Sequence, residues 1–272
     1  MLILAATPIG NLADASPRLR ELLVGASHIA AEDTRNLTKL AGLLGIKLHA
    51  KLYSLHEHNE SERLSQLLQI ATTEDVVVVS DAGMPTVSDP GFLLVRAAVE
   101  AGIYVSVVPG PSAVISALAV SGLPTDRFTF EGFLPRKDGE RRSAFEALAG
   151  ESRTMVFFES PHRILDSLKV AAEVFGTDRR ASVSRELTKK FEQTERGTLA
   201  DLIAWAQGEP KGEMVLVLAG AQKTARDLDE LVLDVLKMQS TGVRLKDAVS
   251  EIASLSSVSK SELYQRALDA RD

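Results

Sequence analysis

The stretch DVVVVSDAGMPTVSDPG, residues 75–91, decides the fold class predicted for this chain. Its four consecutive valines predict a strand of ordinary length. The loop that follows is rich in glycine and proline, and Asp89-Pro90 is a start signal for a helix. Because strand, loop and helix in that order form the repeating unit of an α/β fold, the stretch predicts one such unit.

The same alternation of strand and helix signals extends over residues 1–121. Ser16-Pro17 predicts the N-cap and first residue of a helix, and Asn59 to Glu62 resembles a capping box for another. Five strands joined by helices predict one mostly parallel sheet. The strand-like runs lie at 2–7, 28–32, 47–54, 75–80 and 104–108.

A second alternation of strands and helices begins after residue 122. Two strand-like runs between residues 181 and 197 are separated by only a few residues, which predicts an antiparallel pair and hence a mixed sheet. The strand-like runs lie at 128–132, 155–159, 181–186, 191–197 and 214–219, and the helical runs near 139–149, 163–175 and 198–207.

Only helical periodicity remains from residue 225 to the end, where Ser259 to Glu262 resembles a capping box for the last helix. Three short helices predict a small helical appendage, either of helix-turn-helix type or a dimerisation or packing element. The predicted architecture is therefore α/β in two lobes with this appendage. The predicted domains are an N-terminal lobe with a parallel sheet at 1–121, a C-terminal lobe with a mixed sheet at 122–221 and the appendage at 222–272.

Composition narrows the class of protein. Hydrophobic residues make up 45% and charged residues 25% of the 272 residues, which is typical of a globular protein. The absence of cysteine excludes disulfides and thiolate metal sites, and it suits a reducing compartment. The apolar start MLILAATPIG is too short for a membrane span and has no cationic segment before it, so we expect a cytoplasmic protein without a membrane partner. The net charge of −6 confines any nucleic-acid site to a local basic patch.

Three strand ends of the first lobe run directly into loops rich in glycine and proline, at 7–11, 80–91 and 109–113. The carboxyl ends of parallel strands form the ligand crevice of such sheets. The sequence contains neither a dinucleotide-binding glycine motif nor a P-loop, and loop 80–91 carries Asp81 and Asp89 but no lysine or arginine. An acidic, backbone-rich crevice suits S-adenosylmethionine, which has cationic groups, ribose hydroxyls and an adenine edge. The alternative is that the two aspartates cap a turn and a helix, which is favoured for Asp89.

Eight motifs carry a resemblance to a known family. ATPIGNL, AEDTR, SDAGMPTVSDPG, VPGPSA, FEGFLPRK, FFESPHR, SRELTKKFE and GEMVLVLAG occur in this order over residues 1–220. They resemble motifs of the class III (tetrapyrrole-methylase-like) methyltransferases, and within that superfamily those of the bacterial enzymes that methylate a cytidine 2′-hydroxyl of 16S ribosomal RNA. Where tetrapyrrole-modifying members carry a G-D-P-type loop, this chain has SDAGMP, which disfavours a corrin or uroporphyrinogen substrate.

The resemblance implies two α/β lobes with S-adenosylmethionine in the cleft between them, and a homodimer. It also implies 16S rRNA within the 30S subunit as substrate, at the decoding-centre cytidine 1402. Matched by motif, the cofactor-binding residues would be Pro8, Asp81, Ala82, Gly83, Met84, Val87, Ser112, Ala113, Phe157, Glu213, Met214 and Val215.

Methyl transfer to a hydroxyl is helped by a base that takes the proton. Asp33 is the first candidate, because several class III relatives carry an aspartate at the matching position; the alternative is an N-cap of the next helix. Glu159 and His162 are the second candidates, although Ser160 or Pro161 could simply start a helix there. No metal site is predicted.

Two basic clusters are the predicted RNA-binding patches, the alternative being solvated helix surface. Rival functions are a tetrapyrrole carbon methylase, a methylase of a modified protein side chain, and a ribosome-assembly factor without activity. A nucleotide-sugar or nicotinamide enzyme is disfavoured by the missing phosphate motifs. The first cluster contains Arg136, Lys137, Arg141 and Arg142, and the second Arg185, Lys189 and Lys190.

Overall fold

The computed structural model of the protein describes residues 1–56, 58–221, 228–256 and 258–270. The chain divides into two compact units, Met1–Ala219 and Gly220–Asp272. The first unit holds two five-stranded sheets, one for each predicted lobe. The boundary between residues 121 and 122 falls between the two sheets and remains an interpretation. The other predicted boundary, between residues 221 and 222, adjoins residues that lie outside the described ones.

The first sheet is parallel, as predicted, and the four valines of the opening stretch form its central strand. The order of the strands is β3-β2-β4-β1-β5, and every neighbouring pair is parallel. All four valines of β4 are buried, because helices cover both faces of such a sheet. The strands are β1 (Leu2–Ala5), β2 (His28–Ala31), β3 (Lys51–Ser54), β4 (Val76–Val79) and β5 (Val105–Val108).

Helices alternate with these strands. Ser16 caps the first of them as predicted, since its hydroxyl accepts a hydrogen bond from the backbone N–H of Leu19 at 3.1 Å. The helices are α1 (Pro17–Gly25), α2 (Thr34–Leu43), α3 (Glu60–Thr73), α4 (Phe92–Glu100) and α5 (Ala113–Val120).

One predicted capping interaction and one predicted helix start are wrong: α3 begins after Asn59 as predicted, but without the capping box. The side chain of Asn59 does not cap α3; its Oδ1 instead accepts a hydrogen bond from the backbone of His56, within the described residues. Helix α4 begins after Gly91, at φ 115°, rather than at Asp89-Pro90. Asp89 remains in the loop, and the predicted capping of α4 by Asp89 is therefore also wrong.

A buried carboxylate from a different helix caps α4. Glu60 is only 6% exposed, and its Oε1 accepts hydrogen bonds from the backbone N–H groups of Gly91, Leu93 and Leu94 at 3.1, 2.8 and 3.2 Å. The first N–H groups of a helix have no partner within the helix, and the N-terminal dipole favours a negative charge. Glu60 therefore anchors the far end of loop 80–91.

We expect Glu60→Ala to lower the free energy of unfolding by about 2–3 kcal/mol, because it leaves several buried N–H groups without their charged acceptor. Glu60→Gln keeps one acceptor oxygen and should lose less. Urea denaturation of the two variants and the wild type measures the difference. Equal stability of Glu60→Ala and the wild type would contradict this account of the helix cap.

The second sheet is mixed, as predicted, with the order β6-β7-β10-β8-β9. Strands β6 and β7 pair in parallel, whereas β10 is antiparallel to both β7 and β8, and β8 is antiparallel to β9. Helix α8 begins with a capping box between Thr198 and Asp201. The elements are β6 (Phe128–Phe133), α6 (Asp138–Ala147), β7 (Thr154–Glu159), α7 (Ile164–Phe175), β8 (Arg180–Arg185), β9 (Gln193–Thr198), α8 (Leu199–Ala206) and β10 (Met214–Leu218).

The second unit contains three helices in its described part, α9 (Leu228–Ser240), α10 (Leu245–Ser256) and α11 (Lys260–Asp269). They bury an apolar core that includes Leu231, Val249 and Leu263. The hydroxyl of Ser259 accepts a bond from the backbone N–H of Glu262 at 3.4 Å, as in one half of the predicted box. The predicted helical start at residue 225 lies outside the described residues. None of the described helices combines the length and apolar character that a membrane crossing needs.

Candidate active site

The loops after β1 and β4 are joined at the carboxyl edge of the first sheet. Thr7 and Gly83 exchange two backbone hydrogen bonds, of 2.9 and 3.1 Å, and the Thr7 hydroxyl donates to the carbonyl of Ser80. Gly83 has φ 83°, a left-handed conformation that glycine adopts without strain. The bridge holds two of the three predicted loops in one fixed arrangement.

A cavity of about 440 Å³ lies between these loops and the second sheet. All three loops contribute to its wall, together with the adjoining edge of the second sheet. Ligand pockets of roughly 300–1,000 Å³ are usual for small molecules and cofactors. The residues that line it are Ile9, Glu32, Asp81, Ala82, Gly83, Met84, Val87, Asp89, Ser112, Ala113, Val114, Phe133, Phe158, Glu159, Ser160, Pro161, Leu187, Glu213, Met214 and Val215.

Three carboxylates from the first lobe line the cavity. The backbone N–H of Asp81 donates to Oε2 of Glu32 at 3.1 Å. The carboxylate of Asp81 in turn accepts hydrogen bonds from Asn36 Nδ2 at 2.7 Å and from the backbone N–H of Asp33 at 3.3 Å. These bonds fix the start of loop 80–91 against the start of α2, with Asp89 as the third carboxylate of the group.

Asp89 is half-buried. Burial raises the pKa of its carboxyl to about 6; a hydrogen bond with the Ser80 hydroxyl opposes the rise, and the negative charges of Glu32 and Asp81 add to it. A carboxyl with a pKa near neutrality can accept a proton efficiently at physiological pH. The raised pKa makes Asp89 a candidate base in the cavity wall.

The backbone around Asp89 is held in an unusual conformation. Thr86 and Ser88 both have positive φ values, 74° and 61°, although neither is glycine. Such residues cost free energy and cluster at functional sites, where surrounding contacts hold them in place. Here the cap from Glu60 and the bridge to Thr7 hold the two ends of the loop.

The N-terminus of α5 forms another part of the wall, through Ser112, Ala113 and Val114. In the described chain the Ser112 side chain makes no capping hydrogen bond to the first turn, which leaves backbone N–H groups for a ligand. Among the described residues no lysine or arginine lines the cavity. An anionic group of a ligand would therefore depend on such backbone donors.

Two predicted cofactor residues do not line the cavity, whereas the residue that follows each of them does. Phe157 is buried in the core of the second lobe against Phe145, and Phe158 lines the cavity instead, because successive side chains of a strand point to opposite faces. Pro8 is likewise buried, whereas Ile9 reaches the wall and lies 3.5 Å from the position that a Cβ on Gly83 would take. The other ten predicted cofactor residues line the cavity, and a binding role for them remains a prediction.

Asp33 is the N-cap of α2, which was the alternative role given for it above. Its Oδ1 accepts from the backbone N–H of Arg35 at 2.8 Å and caps α2, and the Arg35 guanidinium binds both carboxylate oxygens. These side-chain and backbone bonds from Arg35 lower the pKa of Asp33 to about 2. A carboxylate of that pKa is a weak base, so this geometry favours Asp89 over Asp33.

Glu159 and His162 lie close in sequence but differ in environment. Both oxygens of the buried Glu159 carboxylate are used: Arg163 binds Oε1 at 2.6 Å, and the Ser167 hydroxyl donates to Oε2 at 2.6 Å. His162 is exposed, while Ser160 and Pro161 before it line the wall. Glu159 therefore holds the start of α7 in place, and catalysis by either residue remains only a prediction.

Most of the predicted RNA-binding cations of the first cluster have acidic partners. Arg141 is buried and pairs with Asp138 at 2.9 Å, which contradicts its assignment to an exposed patch. Arg142 pairs with Glu173, and Lys137 with Glu140. In the described part of the chain Arg136 is exposed and has no acidic partner. Two of these acidic partners, Asp138 and Glu140, lie in the first turn of α6, each three residues from the cation that it pairs with.

Most cations of the second cluster also have partners within the chain. Lys189 binds Glu186 Oε1 at 3.0 Å and Glu213 Oε2 at 2.8 Å. Its aliphatic stem packs on Gly10, where a Cβ would come within 2.5 Å of Lys189 Cγ. Lys189 therefore connects the first loop to Glu213 in the cavity wall, and a contact of Lys189 with RNA remains a prediction. Arg185 is bound to Gln193 and to a carbonyl, whereas Lys190 is exposed beside the Phe191 ring.

Several lining residues were missed by the sequence analysis. Glu32 and Phe133 lie inside quoted motifs, and their place at a strand end was a usable signal. Asp89 was set aside as a helix cap because the sequence does not show that Gly91, with its positive φ, is the residue from which α4 begins. The other missed residues are Ile9, Val114, Phe158, Ser160, Pro161 and Leu187.

Comparison with family models matches both parts of the chain. Residues 1–203 match the model described as Tetrapyrrole (Corrin/Porphyrin) Methylases. Residues 226–271 match the model described as RsmI C-terminal HTH domain, which favours the helix-turn-helix alternative for the appendage.

Similar solved structures show the same fold. The methyltransferase CobJ has a TM-score of 0.60 at 19% identity, over 81% of this chain and 94% of that chain. Diphthine synthase has a TM-score of 0.58 at 15% identity, over 80% of this chain and 89% of that chain. At these identities the likeness supports the two-lobed α/β fold alone.

Relatives of higher identity cover nearly the whole chain. A protein of Mycobacterium tuberculosis (strain CDC 1551 / Oshkosh) named ribosomal RNA small subunit methyltransferase I is 46% identical, over 99% of this chain and 95% of the relative. A protein of the same name from Escherichia coli O157:H7 is 43% identical, over 98% of this chain and 94% of the relative. The chain therefore belongs to the tetrapyrrole methylase family and, within it, to the family of proteins named ribosomal RNA small subunit methyltransferase I.

Proposed function

We propose that this protein transfers a methyl group from S-adenosylmethionine to the 2′-hydroxyl of a cytidine in 16S rRNA of the small ribosomal subunit. The observation that carries the proposal is the cavity, in which an acidic loop, an uncapped helix N-terminus and an apolar strand edge meet. The relatives' printed name supports ribosomal RNA of the small subunit as the substrate. The decoding-centre cytidine 1402 is the position that we expect.

The lining residues fit the chemistry of this cofactor. The carboxylates of Asp81 and Glu213 suit its amino group and ribose hydroxyls, and their negative charge favours the sulfonium. The first N–H groups of α5 suit the carboxylate of its methionine part. Apolar side chains such as Met214 and Val215 suit the adenine. When bound, the cofactor supplies a methyl group that is already activated for displacement.

The residues of the chain then have two tasks in the reaction. The first is alignment, since the rigid loops hold donor and acceptor in one geometry, which can supply much of the acceleration. The second is removal of the proton from the ribose hydroxyl, which we assign to Asp89. Its raised pKa and its place in the wall suit a base, and the resulting neutral carboxyl is favoured by burial.

The rival substrates have less support. The likeness to CobJ is one of fold at 19% identity, so it does not argue for a tetrapyrrole substrate. The relatives' printed name, methyltransferase, and a cavity of cofactor size argue against a ribosome-assembly factor without activity. The homodimer implied by the resemblance remains a prediction, which sedimentation of the protein in solution measures.

The experiment that tests the proposal uses small subunits that lack the modification. The protein is incubated with them and with S-adenosylmethionine labelled on the methyl group, and the label is mapped by resistance of the RNA to alkaline cleavage, which a 2′-O-methyl group confers. We expect one labelled cytidine ribose. Label on a base, on protein or nowhere would overturn the proposal.

Contact with RNA phosphates gives a further prediction from the basic residues. We expect Arg136→Ala to weaken binding of small subunits and to reduce the slope of log K against log salt concentration by about one, because an exposed cation without an acidic partner can release one counterion. Arg141→Ala is the matched control: its buried side chain already pairs with Asp138, so it should alter stability and leave the salt slope unchanged. Filter binding at several salt concentrations measures both. An unchanged slope for Arg136→Ala would remove this residue from the interface.

A further inference from the structure

Phe133 is an aromatic side chain at the cavity that the transfer of a methyl group does not itself require. It lines the cavity and is nevertheless 62% exposed. An aromatic ring gains free energy when it leaves water, so an exposed ring held at a binding site favours an apolar contact with a ligand.

A bulge in β6 produces the exposed position of Phe133. Phe130 pairs with Val156 and Phe133 pairs with Phe158, so three steps along β6 match two along β7. Gly132, within the bulge, has φ 72°, a conformation that glycine adopts readily. A bulge changes the direction of the side chains after it and is common beside active sites. The irregular backbone therefore accounts for the placement of Phe133 at the cavity.

The residues on either side hold the ring in this place. Leu134 is buried in the core of the second lobe, and its carbonyl accepts a hydrogen bond from Arg163 at 3.0 Å. The ring of Phe133 lies 5.2 Å from that of Phe158, which lies 4.9 Å from that of Phe130. Phe133 is thus the exposed end of a row of three rings, supported by Phe158 and open to solvent elsewhere.

We propose that Phe133 is the stacking platform for the base of the nucleotide that is methylated. This inference rests on the proposed function and assigns the base-binding part of the same site. A ribose inside a duplex cannot reach a cavity between two lobes, so the nucleotide must leave its stack. Unstacked bases in RNA–protein complexes bind to aromatic faces. Arg136 follows three residues later, exposed and available for a phosphate of the same strand.

The test compares variants at this position in two measurements. Steady-state methyl transfer to unmodified small subunits gives kcat and KM for the RNA substrate, and calorimetry gives the Kd of S-adenosylmethionine. We expect Phe133→Ala to lower kcat/KM for small subunits about 5- to 150-fold, the usual loss when a stacked aromatic residue is removed. Its Kd for S-adenosylmethionine should stay within twofold of the wild type.

Two substitutions separate stacking from simple apolar contact. Phe133→Tyr keeps the aromatic face and should retain nearly full kcat/KM. Phe133→Leu keeps the apolar area without that face, so its kcat/KM should fall. Phe92→Ala is the control, because Phe92 is similarly exposed, at 59%, but lies on α4 and outside the lining set of the described residues. It should behave as the wild type.

Three results would overturn the proposal. A loss of S-adenosylmethionine affinity in Phe133→Ala that matches the loss of kcat/KM would place the ring in the cofactor site. Full activity of Phe133→Ala would show that nothing stacks on it, and full activity of Phe133→Leu would remove the aromatic face from the explanation. The wild type separates these outcomes from a failure of the proposed function, since that failure would leave it without transfer to small subunits.

Discussion

Asp89→Asn is expected to lower kcat for methyl transfer by about 10²- to 10⁴-fold, the usual contribution of a general base. Asparagine keeps the size of the side chain and an acceptor for the Ser80 hydroxyl, but it cannot take a proton. In the wild type, kcat/KM should rise with pH up to about 6 and then level off, because the pKa of Asp89 is raised to about 6. The variant should lack this limb of the profile. Transfer assays between pH 5 and 8 measure both effects.

The same substitution is expected to stabilise the fold above pH 6. The folded protein holds the proton of Asp89 more tightly than the unfolded chain does, so the ionised form that prevails above the folded pKa is destabilising. The gain from Asp89→Asn should shrink as the pH falls through 6 and should vanish below the unfolded pKa of about 4. A variant that keeps full activity, or that loses stability at pH 7.5, would exclude Asp89 as the buried base.

The second large effect concerns two neighbouring phenylalanines of β7. Phe157→Ala is expected to lower the free energy of unfolding by about 3–5 kcal/mol, because it removes a ring from the core of the second lobe. Phe158→Ala is the matched variant one residue later. Since Phe158 lines the cavity and is only partly buried, this variant should lose less stability but should lower kcat/KM.

Urea denaturation and transfer assays on the two variants distinguish a residue of the core, whose loss lowers stability, from a residue of the site, whose loss lowers activity. If Phe158→Ala proved the less stable of the pair, or if Phe157→Ala alone lost activity at temperatures where it remains folded, the register of β7 described above would be wrong. The register rests on the antiparallel pairing of Phe157 with Leu216 and of Phe158 with Val215.

The order of elements was predictable because local signals agreed with the tertiary structure. Four consecutive valines favoured a buried strand, which they form, and Ser16-Pro17 formed the N-cap that its residue types favour. The short gap between β8 and β9 excluded a crossover helix, so their antiparallel pairing followed. The three loops were predicted to share one crevice because parallel strands end at a common edge.

The details of the site depend on geometry that no local pattern carries. Asp89 was predicted to cap α4 because the positive φ of Gly91 and the cap from Glu60, distant in sequence, are features that the sequence does not show. Whether Phe157 or Phe158 faces the cavity depends on strand register, because a shift of one residue moves a side chain from the core face to the cavity face. Acidic residues that lie close in space neutralise the basic cluster around Arg141, so it does not form the predicted basic patch.

We expect the cofactor to bind in the cavity between the three loops and the second sheet. The most direct measurement is a crystal structure of the protein grown with S-adenosylhomocysteine, the product that remains after transfer. We predict density for it in contact with loop 80–91, with the N-terminus of α5 and with the Met214 strand end. Density at another place on the chain would contradict the account.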